Sequence, residues 1–279
     1  MDLNGKLAAS YIHKQVAEEV KRINDEVTLA LIMVGNNPAS AIYVRNKQKA
    51  CDAVGITVRD FFLDESISQK ELLQIIEKCN KDKKINGILV QLPLPKHIEE
   101  KVVVDAIDPS KDVDGLTTLN QGKLMLGEEG LVPATPKGVI TLLKRNYVEI
   151  AGKHVVVVGR SSLVGKPLAM LFLNEHATVT IAHSRTKNLK EVTKKADILA
   201  VAVGKAKFIT SDMVKRDAVV VDVGINRLDG KLCGDVDYQS VNEVASMITP
   251  VPGGVGPMTI ASLLENIVKC YKKQNNLYL

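Results

Sequence analysis

The sequence has no tryptophan, and aromatic residues fill only 4% of its 279 positions. With so few rings to stack on bases, and with lysines spread along the chain rather than gathered into a basic arm, nucleic acid is not expected as a partner. The formal net charge of +5 suits an anionic small molecule and a phosphorylated cofactor instead. Four cysteines, Cys51, Cys79, Cys233 and Cys270, stand singly with no CxxC pair. They read as reduced thiols of a cytoplasmic protein, not a disulfide framework. The five histidines lack metal-ligand spacing, so no metal site is expected. No apolar run is long enough to span a bilayer, and Met1-Asp2-Leu3-Asn4-Gly5-Lys6 is not followed by a signal-like segment. No repeat or low-complexity tract appears.

What is present is alternation. Apolar strand-like runs at 27–34, 56–63 and 85–91 are separated by helical patterns at 7–23, 39–54 and 68–80. Ser68-Gln69-Lys70-Glu71 is a capping box. A short helix is expected over 98–106, and an irregular linker from Asp108 to Pro136. A helix over 136–145 then leads to strands at 154–158, 178–182, 198–202, 218–223 and 247–249, and a last helix runs from 257 to 273. This order implies two parallel α/β domains with right-handed crossovers. The expected boundaries are 1–120 for a catalytic domain, with 258–279 returning to it, and 121–257 for a Rossmann-type domain.

The run His154-Val155-Val156-Val157-Val158-Gly159-Arg160-Ser161-Ser162-Leu163-Val164-Gly165 reads as a buried strand, a sharp turn and a helix start. Ser161 and Ser162 are candidate caps, and the turn suits a phosphate at a helix N-terminus. It departs from the full dinucleotide fingerprint, with serine at the second glycine and the last glycine one place late. The second strand of this unit ends in His183-Ser184-Arg185-Thr186, without the carboxylate that would bind a ribose 2′-hydroxyl. A hydroxyl and two guanidinium groups, Arg185 and Arg160, favour the 2′-phosphate of NADP. The alternative is that both arginines are solvated surface charges.

On the helix after Asn37, Ser40, Tyr43 and Lys47 occur in sequence, and Tyr43 and Lys47 share a face at i, i+4. Such a pair can stack on a substrate and move a proton.

These pieces stand in one series: Tyr43-Val44-Arg45-Asn46-Lys47, Val90-Gln91-Leu92-Pro93-Leu94-Pro95, Asp112-Val113-Asp114-Gly115, Gly159-Arg160-Ser161, and Pro250-Val251-Pro252-Gly253-Gly254-Val255-Gly256-Pro257-Met258-Thr259. The series closely resembles the FolD family, bifunctional methylenetetrahydrofolate dehydrogenase/methenyltetrahydrofolate cyclohydrolase, nearly end to end. The resemblance implies two α/β domains with a folate cleft, NADP on the second, a homodimer, and a cytoplasmic role in one-carbon metabolism that feeds purine biosynthesis. It implies Lys47 as the catalytic lysine, Tyr43 as its aromatic support, Gln91 as the glutamine that tunes it, and Asp114 as the pterin-binding aspartate. Asp112 is the structural partner of Asp114. Ser40, Leu92, Pro93, Pro252, Gly253, Gly254 and Pro257 complete the implied tetrahydrofolate site. Gly159, Arg160, Ser161, Ser184, Arg185 and Ile225 fall on the implied NADP contacts. Three other readings are a monofunctional dehydrogenase, a related dehydrogenase of a shikimate-type hydroxy acid, and a non-catalytic NADP-binding module.

Overall fold

The computed structural model describes residues 1–277, which form two compact bodies. One comprises Tyr11–Ala134 and the chain from Ile260 on; the other comprises Met1–Ser10 and Thr135–Thr259. The first helix, α1 (Gly5–Arg22), opens on Asn4, whose side chain accepts from the Leu7 amide at 3.0 Å.

In the first body β1 (Thr28–Val34), α2 (Pro38–Val54), β2 (Thr57–Leu63), α3 (Gln69–Lys81) and β3 (Gly87–Val90) follow in turn. The three strands form a parallel sheet in the order β2-β1-β3. Every residue of β1 is buried because it is the central strand, which is why its sequence is a continuous apolar run. Asn37 starts α2 with Pro38 at the first helical position: its carbonyl takes the Ala41 amide and its side chain the Ser40 amide. The Ser68/Glu71 capping box opens α3 as expected. Ile32, Ile76, Ile88 and Val103 are among the residues at the centre of the core.

A short α4 (Glu100–Asp105) follows. The stretch expected to be an irregular linker contains a further helix, α5 (Thr118–Leu126). Thr117 caps it and Gly127, at φ 71°, ends it. Its sequence has no apolar stripe, since Leu119, Met125 and Leu126 are exposed while Asn120 is buried. Helical periodicity therefore gave no signal.

The second body begins with α6 (Ala134–Arg145) and continues through β4 (His154–Val158), α7 (Gly165–Asn174), β5 (Thr178–Ala182), α8 (Leu189–Thr193), β6 (Ile198–Val201) and β7 (Val219–Asp222). A hairpin of β8 (Asn226–Leu228) and β9 (Lys231–Cys233), then α9 (Tyr238–Asn242) and β10 (Met247–Ile248), complete it. The main sheet is parallel, in the order β10-β7-β6-β4-β5. Its expected strands are all present, three of them one residue or more shorter than read. The hairpin and the role of the chain start were not foreseen. Asp2 bridges to Ile248, and Leu3 donates to the Ile248 carbonyl at 2.9 Å, so the first residues extend the sheet beyond β10.

The last helix, α10 (Val255–Gln274), starts two residues earlier than expected. Its later turns return to the first body, as the sequence implied. Asn266 donates to the carbonyls of Val113 and Val132 at 2.8 and 2.9 Å, Lys269 to Gly130 at 3.0 Å, and Gln274 to Asn86 at 2.7 Å.

Candidate active site and cofactor site

Lys47 lies in the third turn of α2, half-buried, and its Nζ donates to Gln91 Oε1 at 3.2 Å. Gln91 is the first residue past β3. Its backbone amide continues the ladder to the Ile32 carbonyl at 2.8 Å, and its Nε2 donates to the Leu92 carbonyl at 2.7 Å. With backbone and amide both fixed, the side-chain oxygen is presented to Lys47 in one orientation. Leu92 precedes Pro93 through a cis peptide bond, with Pro93 exposed.

Asp114 reaches the same region because residues 111–115 are sewn onto β3. The Ile88 amide donates to the Lys111 carbonyl at 2.7 Å, and Ile88 bridges to Asp112. Val113 packs over Gly87, where a Cβ would lie 2.4 Å from the valine Cγ1. Lys111 is buried, and its ammonium donates to the carbonyls of Cys79, Asn80 and Asp82 at 3.1, 2.8 and 2.8 Å, closing the C-terminal end of α3. Asp112 is also buried and accepts from the amides of Leu116 and Thr117 and from Asn120 Nδ2, at 3.1, 2.8 and 2.9 Å. Lys111 and Asp112 are anchors; Asp114 is the carboxylate that faces Lys47 electrostatically. Burial pushes the Asp114 carboxyl above its ordinary pKa, the Lys47 charge opposes that rise, and Asp112 adds to it. Ser40 is buried near the start of α2, and Tyr43 stands one turn before Lys47 with 42% of its surface exposed.

In the second body the sheet order reverses direction between β4 and β6, the place where open α/β sheets bind ligands beyond their carboxyl ends. Gly159 sits there with φ 131°, and a Cβ on it would come 2.3 Å from the Ala202 carbonyl oxygen. No other residue fits so close an approach. Arg160, Ser161, Ser184 and Arg185 are exposed beyond β4 and β5, and Ile225 is 45% exposed beyond β7. Ser161 caps from within the loop: its Oγ accepts from the amides of Val164 and Gly165 at 3.2 and 3.4 Å, and its carbonyl takes the Lys166 amide. These first amides of α7 are therefore bonded internally, and α7 starts at Gly165 without a cap from its flanking Val164. What the turn offers an anion is the Ser161 hydroxyl hydrogen and the Arg160 guanidinium, rather than those amides. The donor set, two arginines and two serines with no carboxylate at the end of β5, fits a phosphorylated dinucleotide.

Pro252, Gly253, Gly254 and Pro257 lie where the chain passes from β10 into α10. Val251–Pro252 is cis, and the Gly253 carbonyl accepts from Lys6 at 3.1 Å. This turn lies so close to the start of α1 that a Cβ on Gly5 would come 1.7 Å from the Gly254 carbonyl oxygen. Close approach is thus present, to the protein's own chain.

Two buried carboxylates escaped the sequence reading, Asp222 at the end of β7 and Asp235 after β9. Their signals were an aspartate closing an apolar run and one following Gly234, and neither is distinctive. Among the described residues no cluster of three histidine, cysteine or carboxylate side chains could hold a metal, and no helix is long and apolar enough to cross a membrane.

Comparison with known proteins is consistent with this geometry. The family model for the tetrahydrofolate dehydrogenase/cyclohydrolase catalytic domain matches residues 3–114, and that for the NAD(P)-binding domain matches residues 133–275. The bifunctional protein FolD of Halalkalibacterium halodurans is 57% identical over 274 residues, covering 97% of this chain and 98% of the relative. The crystal structure of the bifunctional FolD enzyme from Campylobacter jejuni superposes with a TM-score of 0.96 at 48% identity, covering 98% and 99% of the two chains. That of the Trypanosoma brucei dehydrogenase-cyclohydrolase, complexed with NADP and an inhibitor, gives a TM-score of 0.93 at 35% identity, covering 98% and 97%. The chain belongs to the tetrahydrofolate dehydrogenase/cyclohydrolase family.

Proposed function

We infer that this chain oxidises 5,10-methylenetetrahydrofolate to 5,10-methenyltetrahydrofolate with NADP and hydrolyses that product to 10-formyltetrahydrofolate. The observation that carries this reading is the Lys47–Gln91 hydrogen bond beside Asp114, within a chain of this family. NADP supplies the hydride acceptor when bound. The protein's own work is alignment and electrostatics. Asp114 accepts from the pterin ring's N–H groups, which fixes the substrate's rotation. Tyr43 offers its exposed ring to the substrate's aromatic portion, with Ser40, Leu92 and Pro93 flanking it. Pro252, Gly253, Gly254 and Pro257 approach the folate by backbone. In hydrolysis Lys47, steadied by Gln91, moves the proton as water adds to the one-carbon unit and the ring opens.

Gly159, Arg160, Ser161, Ser184, Arg185 and Ile225 hold NADP. The Ser161 Oγ already accepts from two amides, so its hydrogen is free to point outward to a phosphate oxygen. Arg185 and Arg160 take the 2′-phosphate. The enzyme acts in the cytoplasm, and its 10-formyl product serves purine biosynthesis. It works as a homodimer, a reading supported by Leu228 and Leu232, both more than 40% exposed on the β8–β9 hairpin.

Paired assays on the purified protein test this reading. One follows reduced-nicotinamide absorbance with methylenetetrahydrofolate and either NADP or NAD; the other follows decay of methenyltetrahydrofolate. NADP-dependent reduction with accelerated decay is expected. Reduction alone would leave a monofunctional dehydrogenase, and silence in both from a folded protein would leave a non-catalytic module.

A further inference from the structure

Asp222 and Asp235 are almost wholly buried, at 3% and 0% exposure, yet neither takes part in the chemistry above. Asp235 accepts from three successive amides, Val203, Gly204 and Lys205, at 2.6, 2.9 and 2.8 Å, and from Asn226 Nδ2 at 2.8 Å. Those amides belong to the loop that leaves β6, directly after Ala202, whose carbonyl oxygen a Cβ on Gly159 would overlap. Asn226 opens β8, one residue past Ile225. Asp222 accepts from the amides of Gly224, Asp235 and Val236 at 3.0, 2.9 and 2.9 Å, and its own amide donates to the Thr249 hydroxyl at 2.7 Å. The two carboxyls are linked in series, because Asp222 holds the backbone of Asp235 while Asp235 holds the β6 loop. Neighbouring backbone is shaped around them: a Cβ on Gly224 would lie 2.1 Å from the Asp235 carboxyl carbon, and one on Gly234 would lie 1.7 Å from an Asp222 oxygen.

A loop of this kind has no ladder of its own to satisfy its amides, and a buried amide must find a partner. Three consecutive N–H groups converging on one carboxylate fix the loop in a single conformation. The segments so fixed, 203–205 and 223–226, are those that leave β6 and β7 on the ligand side of the sheet.

We propose that Asp222 and Asp235 are positioning residues for the cofactor, a linked pair of carboxyl anchors that hold the loops after β6 and β7 in the shape that receives the dinucleotide. The proposal rests on the NADP reading above. Asp235 carries the larger share, since it binds the β6 loop directly, and Asp222 acts through Asp235. Burial pushes the Asp222 carboxyl up to about 7, with Asp235 adding to the rise and the three amides opposing it.

The test uses Asp235→Asn and Asn226→Ala in the full-length protein, with wild type in parallel. NADPH binding is read by nucleotide fluorescence, dehydrogenase kcat and the KM for NADP by absorbance, and cyclohydrolase activity without nucleotide serves as the internal control for the other body. Asp235→Asn is expected to raise the NADP KM and the NADPH Kd tenfold or more, and Asn226→Ala about threefold, with cyclohydrolase activity within twofold of wild type. Asn226→Ala removes one surface-side bond and leaves the three amide bonds, so it remains informative should Asp235→Asn not fold. Unchanged nucleotide affinity in a folded Asp235→Asn, or in Asn226→Ala should Asp235→Asn not fold, overturns the proposal; so does a parallel loss of both activities in Asn226→Ala. A wild type that neither binds NADPH nor reduces NADP is a different result, and it refutes the cofactor reading itself.

Discussion

Replacing Gly159 with alanine probes the turn at the centre of the nucleotide-binding sheet. Two separate costs arise. The residue has φ 131°, a region essentially reserved for glycine, and forcing a side chain there costs about 1–3 kcal/mol. The added Cβ would also sit 2.3 Å from the Ala202 carbonyl oxygen and 3.1 Å from its carbon. Both are backbone atoms held in the sheet, since the Ala202 amide donates to the Val158 carbonyl at 2.8 Å. Relieving that overlap means spreading β4 from β6, an overpacking cost of about 1–3 kcal/mol. Gly152 supplies the control. It has φ 74° in the same body with no atom within 4 Å of its Cβ position, so Gly152→Ala pays only the backbone cost of about 1–2 kcal/mol. In urea unfolding followed by circular dichroism, Gly159→Ala should therefore be less stable than Gly152→Ala by about 1–4 kcal/mol. NADPH titration should show weakened binding in the first variant alone, because the strand ends that must move are those proposed to receive the cofactor. Equal midpoints and equal NADPH affinity in the two variants would refute the argument that the close approach of Gly159 to Ala202 shapes this site.

Lys47→Met should abolish methenyltetrahydrofolate hydrolysis, by a factor on the order of 10²–10⁴ for a lost proton-transfer group, while hydride transfer survives in part; equal loss of both activities would reduce Lys47 to a structural role. Asp114 has a folded-state pKa above its ordinary value of 3.8, so its contribution to stability is complete below the unfolded pKa and is lost as pH rises through the folded one. Asp114→Asn should therefore flatten the acid-to-neutral fall in stability while raising the KM for folate, and an unchanged stability–pH curve would contradict the burial argument. Asn266→Ala strands two carbonyls, Val113 and Val132, and should cost about 2–6 kcal/mol in thermal unfolding, from about 1–3 kcal/mol for each buried acceptor left unpaired; a change below about 0.5 kcal/mol, the size of an ordinary surface substitution, would contradict it.

The strands were legible because their physics is local. Val155 to Val158 and Leu29 to Val34 are buried on both faces, and that burial leaves an apolar run no other element explains. Caps at Ser68 and Asn37 were legible for the same reason, since their partners lie three residues away. Helix α5 was not, because its contacts are polar and distant: Asn120 bonds to Pro109 and Asp112, and nothing in its own period signals burial. The candidate site divides along the same line. Lys47, Gln91 and Asp114 came from a motif series, but the means by which Asp114 is placed, a lysine closing α3 and a valine lying over Gly87, joins residues up to 32 positions apart. Asp222 and Asp235 are 13 residues apart and read as ordinary turn aspartates until the amides around them are counted.

The exchange of chain ends between the two bodies has a consequence for synthesis. The sheet beyond β10 takes its edge from Asp2 and Leu3, which are made before any strand of either sheet, while the carbonyls of Val113 and Val132 wait for Asn266 in α10. The body whose sheet is made first, β1 to β3, is therefore completed last, and the nucleotide-binding body has its full complement of strands while the other still lacks its closing helix. A nascent chain stalled near residue 250 would carry an assembled sheet with Asp2 and Leu3 already tied to it, and a folate body with open seams. It follows that neither half can be expressed as one uninterrupted stretch of sequence without losing part of its own structure.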